Sequence, residues 1–169
     1  MKLLLIGVGR WGRNHLKALK NLADELYVVD ADPSQLKACE EFSIPGDHLS
    51  TDYHDFLDRI DGVDIVTPAD SHLAICMDCF RKGKHVFVEK PIAPTSQKAR
   101  EMFHQAEESR LILQVGHIYR YHPASSKIKQ IIEGRLGTLE YAYGHFMGFK
   151  RPRMDVGVTL GENIGQRVL

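Results

Sequence analysis

Short apolar runs rich in β-branched residues alternate along the chain with longer segments of helical period. Six such runs predict strands: Leu3 to Ile6, Leu26 to Asp30, a weak one at His48 to Ser50, Val63 to Thr67, His85 to Glu89 and Leu111 to Val115. Continuous apolar runs of this length suit strands buried on both faces, as in a parallel sheet built from βαβ units. The intervening segments predict helices. Trp11, His15, Ala18, Leu19 and Leu22 fall on one face of the first. Asp32, Pro33 and Gln35 supply an N-cap, a first-turn proline and a capping-box partner for the second. A helix from about Ser71 to Lys82 stops at Gly83, and one beginning near Thr95 carries Ala99, Met102, Phe103 and Ala106 along its buried stripe.

The pattern changes after Val115. Pro123 to Glu133 predicts a helix ending at Gly134, and Leu139, Tyr141, Tyr143, His145, Met147 and Phe149 then alternate with smaller or polar residues, as in a half-buried strand. The expected organisation is therefore a doubly wound parallel α/β domain of the Rossmann type over residues 1–120, followed by the start of an α+β domain over 121–169. A length of 169 residues suits one well-buried domain and a small addition. With 22 basic and 22 acidic side chains there is no net field to favour nucleic acid or an anionic membrane, so a small-molecule partner is expected. No apolar stretch reaches the roughly 20 residues of a membrane span, and three cysteines make an odd number that suits a reducing compartment, so the cytoplasm is expected. Cys76 and Cys79 form a C-x-x-C at helical spacing among Leu73, Ile75 and Phe80, which predicts packing and no metal site.

Gly7-Val8-Gly9-Arg10-Trp11-Gly12 is a G-x-G-x-x-G. It follows the first strand, opens a helix, and precedes Asp30 at the end of the second strand by close to the spacing of about 20 residues expected for a ribose-binding acid. The first glycine makes the tight turn, the second lets a pyrophosphate approach the backbone, and the third lets helix and strand pack closely. Amides at the positive end of the helix can then hold the phosphates. Asp30 can accept from both ribose hydroxyls and would repel a 2′-phosphate, which favours NAD over NADP. Arg10 and Arg13 lie beside the turn and work against that preference.

The segment from Val63 to Pro91, VDIVTPADSHLAICMDCFRKGKHVFVEKP, resembles the Gfo/Idh/MocA family of oxidoreductases. The order of its parts carries the resemblance: a strand ending in Thr67-Pro68, then His72, a Gly-Lys-His-Val strand and the Glu89-Lys90-Pro91 turn. Gly7 to His15, Val115-Gly116, Arg120 and Pro123 extend it over most of residues 1–160. The resemblance implies an NAD-dependent oxidoreductase acting on a hydroxyl or carbonyl of a sugar, nucleotide sugar or cyclitol. It assigns the catalytic proton-handling role to Lys90, with Glu89 orienting it and Pro91 fixing a turn whose peptide bond can be cis. Gly7, Gly9, Arg10, Trp11, Gly12, Asp30, Thr67, Pro68, His72, Glu89, Lys90 and Arg120 would line the cofactor. For His72 a bond to backbone near a helix start is the competing reading. His117 and His122 flank Arg120 without a third ligand at metal-binding spacing.

Members of the family also carry a second domain of comparable size, of which this sequence contains only the opening helix and strand. Gly157 to Leu160 resembles the run that precedes the family's Asp-x-Gly-x-His-x-x-Asp element, and no histidine follows His145. The alternative expectation is therefore an NAD-binding module with an incomplete catalytic site. The apolar face of residues 138–149 predicts a homo-oligomer formed through that strand.

Overall fold

The computed structural model describes residues 1–135 and the isolated positions 138, 140, 141 and 143. The strand expected over 138–149 lies outside the described residues apart from those positions. Six strands, β1 (Lys2–Ile6), β2 (Glu25–Val29), β3 (Leu49–Ser50), β4 (Gly62–Ile65), β5 (His85–Val88) and β6 (Leu113–Val115), form one parallel sheet in the order β3-β2-β1-β4-β5-β6. This is the doubly wound order, in which the chain reverses direction across the sheet between β1 and β4. Ile6 is level with Val29 on one side and Ile65 on the other, and Ile65 with Val88. The residues that follow these four strands therefore emerge together on one edge.

Helices α1 (Gly12–Leu19), α2 (Pro33–Leu36), α3 (Ala69–Arg81) and α4 (Ser96–Glu108) connect the strands. The crossover from β3 to β4 uses only short 3₁₀ turns. Side chains alternate across the pleat, so each strand feeds two cores. On one face Leu4, Ile6, Val63, Ile65, Val86 and Val88 pack with Ile75 and Phe80 of α3 and Met102 and Ala106 of α4. On the other, Leu5, Val8, Leu26 and Val28 pack with Leu16 of α1 and with Cys39. Cys76 and Cys79 belong to the first core. Burial drives the Cys76 thiol far above its ordinary range and the Cys79 thiol up to about 12, so both behave as small apolar groups.

The helices depart from their sequence expectation in what they bury. On α1 the buried positions are Gly12 and Leu16, whereas Trp11 and Leu22 are 46% and 69% exposed and Ala18 faces solvent. The helix is only two turns long, so Leu22 lies beyond it. On α4 Met102 and Ala106 are buried but Phe103 is 46% exposed, because the helix covers the edge of the sheet and only a narrow stripe meets it. Asp32 caps α2 by accepting from the Ser34 amide, but its own amide donates to Asp30 and not to Gln35, so no reciprocal box forms. Strands β1, β3 and β6 end where predicted, whereas β2, β4 and β5 end one or two residues early, which leaves Asp30, Thr67 and Glu89 in the turns beyond them.

The described residues fall into two units, the first closing at Gly116, slightly before the position 120 expected, and the second starting at His117. Helix α5 (Pro123–Arg135) belongs to the second, and runs slightly past its expected end at Gly134.

Candidate functional site

The carboxyl ends of β1, β2, β4 and β5 bring together Gly7 to Gly12, Asp30, Thr67-Pro68 and Glu89-Lys90. Gly7 has φ +97°, and a side chain there would lie 2.6 Å from the Val66 carbonyl oxygen, where β1 and β4 part. A side chain at Gly12 would run into the Gly7 carbonyl. Of the three glycines in the turn, Gly9 is the one where an added carbon would meet nothing within 4 Å, so the turn keeps an open approach to its backbone there. Among the described residues the backbone N–H groups of Gly9, Arg10 and Trp11 donate to no protein oxygen. Such amides at the start of a helix are suited to an anion.

Asp30 is half-buried and already fixed: Oδ2 accepts from the Val8 amide at 2.7 Å and Oδ1 from the Asp32 amide at 3.0 Å. Each oxygen keeps a second lone pair, so the carboxylate can still accept from hydroxyls. Arg10 and Arg13 are exposed beside the turn. Thr67 Oγ1 lies 2.7 Å from Ser71 Oγ, and Pro68 caps α3, exposed at the same edge.

His72 is placed differently from its expected position along the cofactor. It is 1% exposed, with Nε2 2.9 Å from the Thr67 carbonyl oxygen and Nδ1 3.1 and 3.2 Å from those of Pro91 and Ile92. The ring is used up in tying the turn after β4 to the turn after β5, which is the backbone-bonding alternative.

Lys90 is exposed at the end of β5, and the Lys90–Pro91 peptide is cis. Glu89 is 7% exposed, and its carboxylate does not reach toward the lysine ammonium group: Oε2 accepts from the Lys90 backbone amide at 3.1 Å and Oε1 lies 3.4 Å from His15 Nε2. The Trp11 indole lies near enough to favour its charged form. Burial would push the Glu89 carboxyl up, but His15, the Lys90 amide and Trp11 together outweigh it and hold the group below the usual carboxylate range. Glu89 therefore positions the backbone of the turn.

The other nitrogen of His15 meets Asp64, a residue the sequence reading passed over: Nδ1 is 2.8 Å from Asp64 Oδ2. Burial works against the imidazolium, yet the hydrogen bond to Asp64 and the nearby Glu89 carboxylate prevail and raise His15 to about 9. The Asp64 carboxyl is pushed up by burial, with His15 only partly opposing it. One acidic residue inside the apolar run from Val63 to Ile65 was the available signal, and it was read as part of a plain strand. Arg120 lies exposed in the turn Ile118–Tyr121 of the second unit. No group of three or more metal-ligating side chains occurs among the described residues.

The oxidoreductase family described by an NAD-binding Rossmann fold matches residues 1–117. A 4-carboxy-2-hydroxymuconate-6-semialdehyde dehydrogenase of a Sphingobium species is 31% identical over 160 residues, which is 92% of this chain and 50% of that protein. A UDP-N-acetylglucosamine 3-dehydrogenase of Acidithiobacillus ferrooxidans is 31% identical over 166 residues, 95% of this chain and 50% of the relative. Its solved structure superposes with a TM-score of 0.70 over 77% of this chain and 42% of its own, at 29% identity. A scyllo-inositol dehydrogenase of Lactobacillus casei, solved with bound NAD(H) and scyllo-inositol, gives 0.69 over 79% of this chain and 41% of its own, at 25% identity. The chain thus spans about half the length of the curated relatives it matches.

Proposed function

Because the chain belongs to the Gfo/Idh/MocA oxidoreductase family, whose fold binds NAD, we propose that it seats NAD at the carboxyl edge of its sheet. In this reading it serves an enzyme that transfers hydride between the nicotinamide and a hydroxyl or carbonyl of a sugar, nucleotide sugar or cyclitol. The observation that carries the reading is the glycine turn at the switch point, with unpaired amides at residues 9–11, open space over Gly9 and a fixed carboxylate at Asp30. Bound there, the nicotinamide supplies the hydride acceptor.

The chain's own residues do the rest. The turn amides hold the pyrophosphate, with Arg10 and Trp11 at its edge, and Asp30 accepts from the adenosine ribose. Thr67 and Pro68 border the nicotinamide half. Lys90 donates to the substrate oxygen and moves its proton as the carbon beside it changes oxidation state. Arg120 is assigned to the cofactor or substrate on the family resemblance. The names of the relatives supply the substrate class, since one acts on a nucleotide sugar and one on an inositol. A non-catalytic dinucleotide-binding module is the weaker reading, because the proteins matched over this part of their length are named as dehydrogenases.

A cytoplasmic location rests on the three free, buried cysteines, and among the described residues no helix is long and apolar enough to cross a membrane. A homo-oligomer through residues 138–149 rests on the sequence pattern alone, and light scattering with and without that segment tests it.

Two measurements test the functional reading. Titration at one salt concentration should show NAD binding more tightly than NADP, and equal affinities would remove Asp30 from the ribose site. In the protein assayed with its substrate, Lys90→Ala should lower turnover by about 10² to 10⁴ while NAD affinity changes only a few-fold. Near-normal turnover in that variant would remove Lys90 from the chemistry.

A further inference from the structure

We propose that His15 is a positioning residue that joins the two halves of the cofactor site: seated on the phosphate-turn helix, its imidazole bridges the Asp64 and Glu89 carboxylates and so fixes the backbone turn that presents Lys90. The inference rests on the dinucleotide reading above, which it deepens.

The geometry gives His15 three attachments. It belongs to α1, one turn of helix beyond the glycines. Its Nδ1 reaches 2.8 Å to Asp64 in the middle of β4, and its Nε2 3.4 Å to Glu89 at the end of β5. Glu89 in turn accepts from the Lys90 amide, so the path from helix to lysine passes through one carboxylate. That carboxylate cannot turn aside. A side chain at Gly116 would lie 2.6 Å from Glu89 Oε1, which shows how closely the chain just after β6 closes over it. The His15 ring is held edge-on to Trp11, with centroids 6.5 Å apart, and tilted on Phe87 of β5 at 6.0 Å.

A neutral imidazole donates through one nitrogen only, whereas the imidazolium donates through both. Holding both carboxylates therefore favours the charged form, which donates to Asp64 and pairs with Glu89 at 3.4 Å. The ionisable groups facing it are Asp64 from β4 and Glu89 from the end of β5; Asp61 and His85 line the same groove but are engaged by the Lys2 and Ile112 amides. With the two carboxylates raising it to about 9, His15 stays charged at neutral pH and releases the bridge only in alkali. The sheet does not need this arrangement for its core, because an apolar residue at position 64 would fit a buried strand better than a carboxylate whose Oδ1 is buried without a partner. Coupling the turn helix to the lysine turn explains its presence.

The test uses the full chain and His15→Gln, which keeps one donor but cannot bridge as a cation. The Lys90 backbone amide and the His15 ring are followed by NMR from pH 6 to 10 without cofactor, and NAD affinity is measured over the same range. In the native protein the Lys90 amide should move with the His15 titration, near pH 9, and NAD affinity should fall along the same curve. In His15→Gln that step should vanish, with NAD binding weakened roughly 2- to 30-fold at pH 7. A native Lys90 amide that does not follow the His15 titration overturns the inference, as does a His15→Gln protein with unchanged NAD affinity and an unchanged alkaline step. The native titration decides the matter even where the variant does not fold. Failure of the native protein to bind NAD would overturn the dinucleotide reading instead, and the Lys90 amide would still decide the role of His15.

Discussion

At the β1–β2 corner of the site the chain works by leaving side chains out, whereas at the β4–β5 corner it works by burying charge. The first corner consists of glycines, unpaired amides and one carboxylate anchored by two backbone N–H groups. The second holds Asp64, His72 and Glu89, which are the buried polar or charged side chains among the described residues. Backbone geometry is local and insensitive to pH. Buried charge links distant segments and depends on proton occupancy, so the same edge of one sheet contains a part fixed by sterics and a part fixed by electrostatics. The comparison teaches where each kind of perturbation should act.

Steric substitutions at the first corner should have the largest effects and separate folding from binding. Gly12→Ala drives a carbon into the Gly7 carbonyl, and neither backbone segment can retreat without disturbing β1 or α1. We expect a loss of about 3 kcal/mol or more in urea unfolding. Gly9→Ala meets no protein atom, so stability should change by less than about 1 kcal/mol while NAD affinity drops about tenfold or more. A Gly9→Ala protein that binds NAD normally would show that the open space over the turn is not used by the phosphates.

Alkaline pH should act on the second corner alone. His15 is raised from 6.5 to about 9, so its contribution to stability is fully present below pH 6.5 and is lost as pH rises through about 9. At about 1.4 kcal/mol per unit, the upper limit is on the order of 3 kcal/mol. Unfolding midpoints measured from pH 6 to 10 should decline in the native protein and stay flatter in His15→Gln. A flat native profile would mean that the bridge holds no net charge, and the contrast between the corners would collapse into sterics at both.

How far each corner was legible in the sequence follows from the same difference. Gly7, Gly9, Gly12 and Asp30 were readable because a tight turn makes its demands within a few neighbouring residues. The turn at Lys90-Pro91, with its cis peptide, was anticipated from the order of a longer motif. His15 was counted as part of an apolar helix face and Asp64 as part of an apolar strand, because nothing near either residue announces a partner that folding brings from 49 residues away. His72 was directed at the cofactor for a related reason: its acceptors are carbonyl oxygens, which every residue has and no motif specifies. The sheet itself was legible from its apolar runs, since a strand buried on both faces needs no particular partner to be recognised. The solvent-facing Phe103 was misplaced because helical period gives a stripe but not its width, and Leu22 because the pattern ran on past the end of its helix.

The smallest expected effect concerns the one residue that belongs to both corners. Trp11 is part of the glycine turn, and its indole favours the charged form of Glu89. It is 46% exposed, and Glu89 keeps the His15 and Lys90 donors without it. Trp11→Phe removes the indole N–H while leaving an aromatic ring to meet His15, so thermal unfolding should report a loss no larger than about 0.5–1.5 kcal/mol, the net worth of one ordinary hydrogen bond. The alkaline step in the stability profile should persist, since the imidazole still faces both carboxylates. If Trp11→Phe instead removes that step or costs as much as His15→Gln, the indole is the principal tie between the corners, and the link between phosphate turn and lysine turn runs through residue 11 before it runs through residue 15.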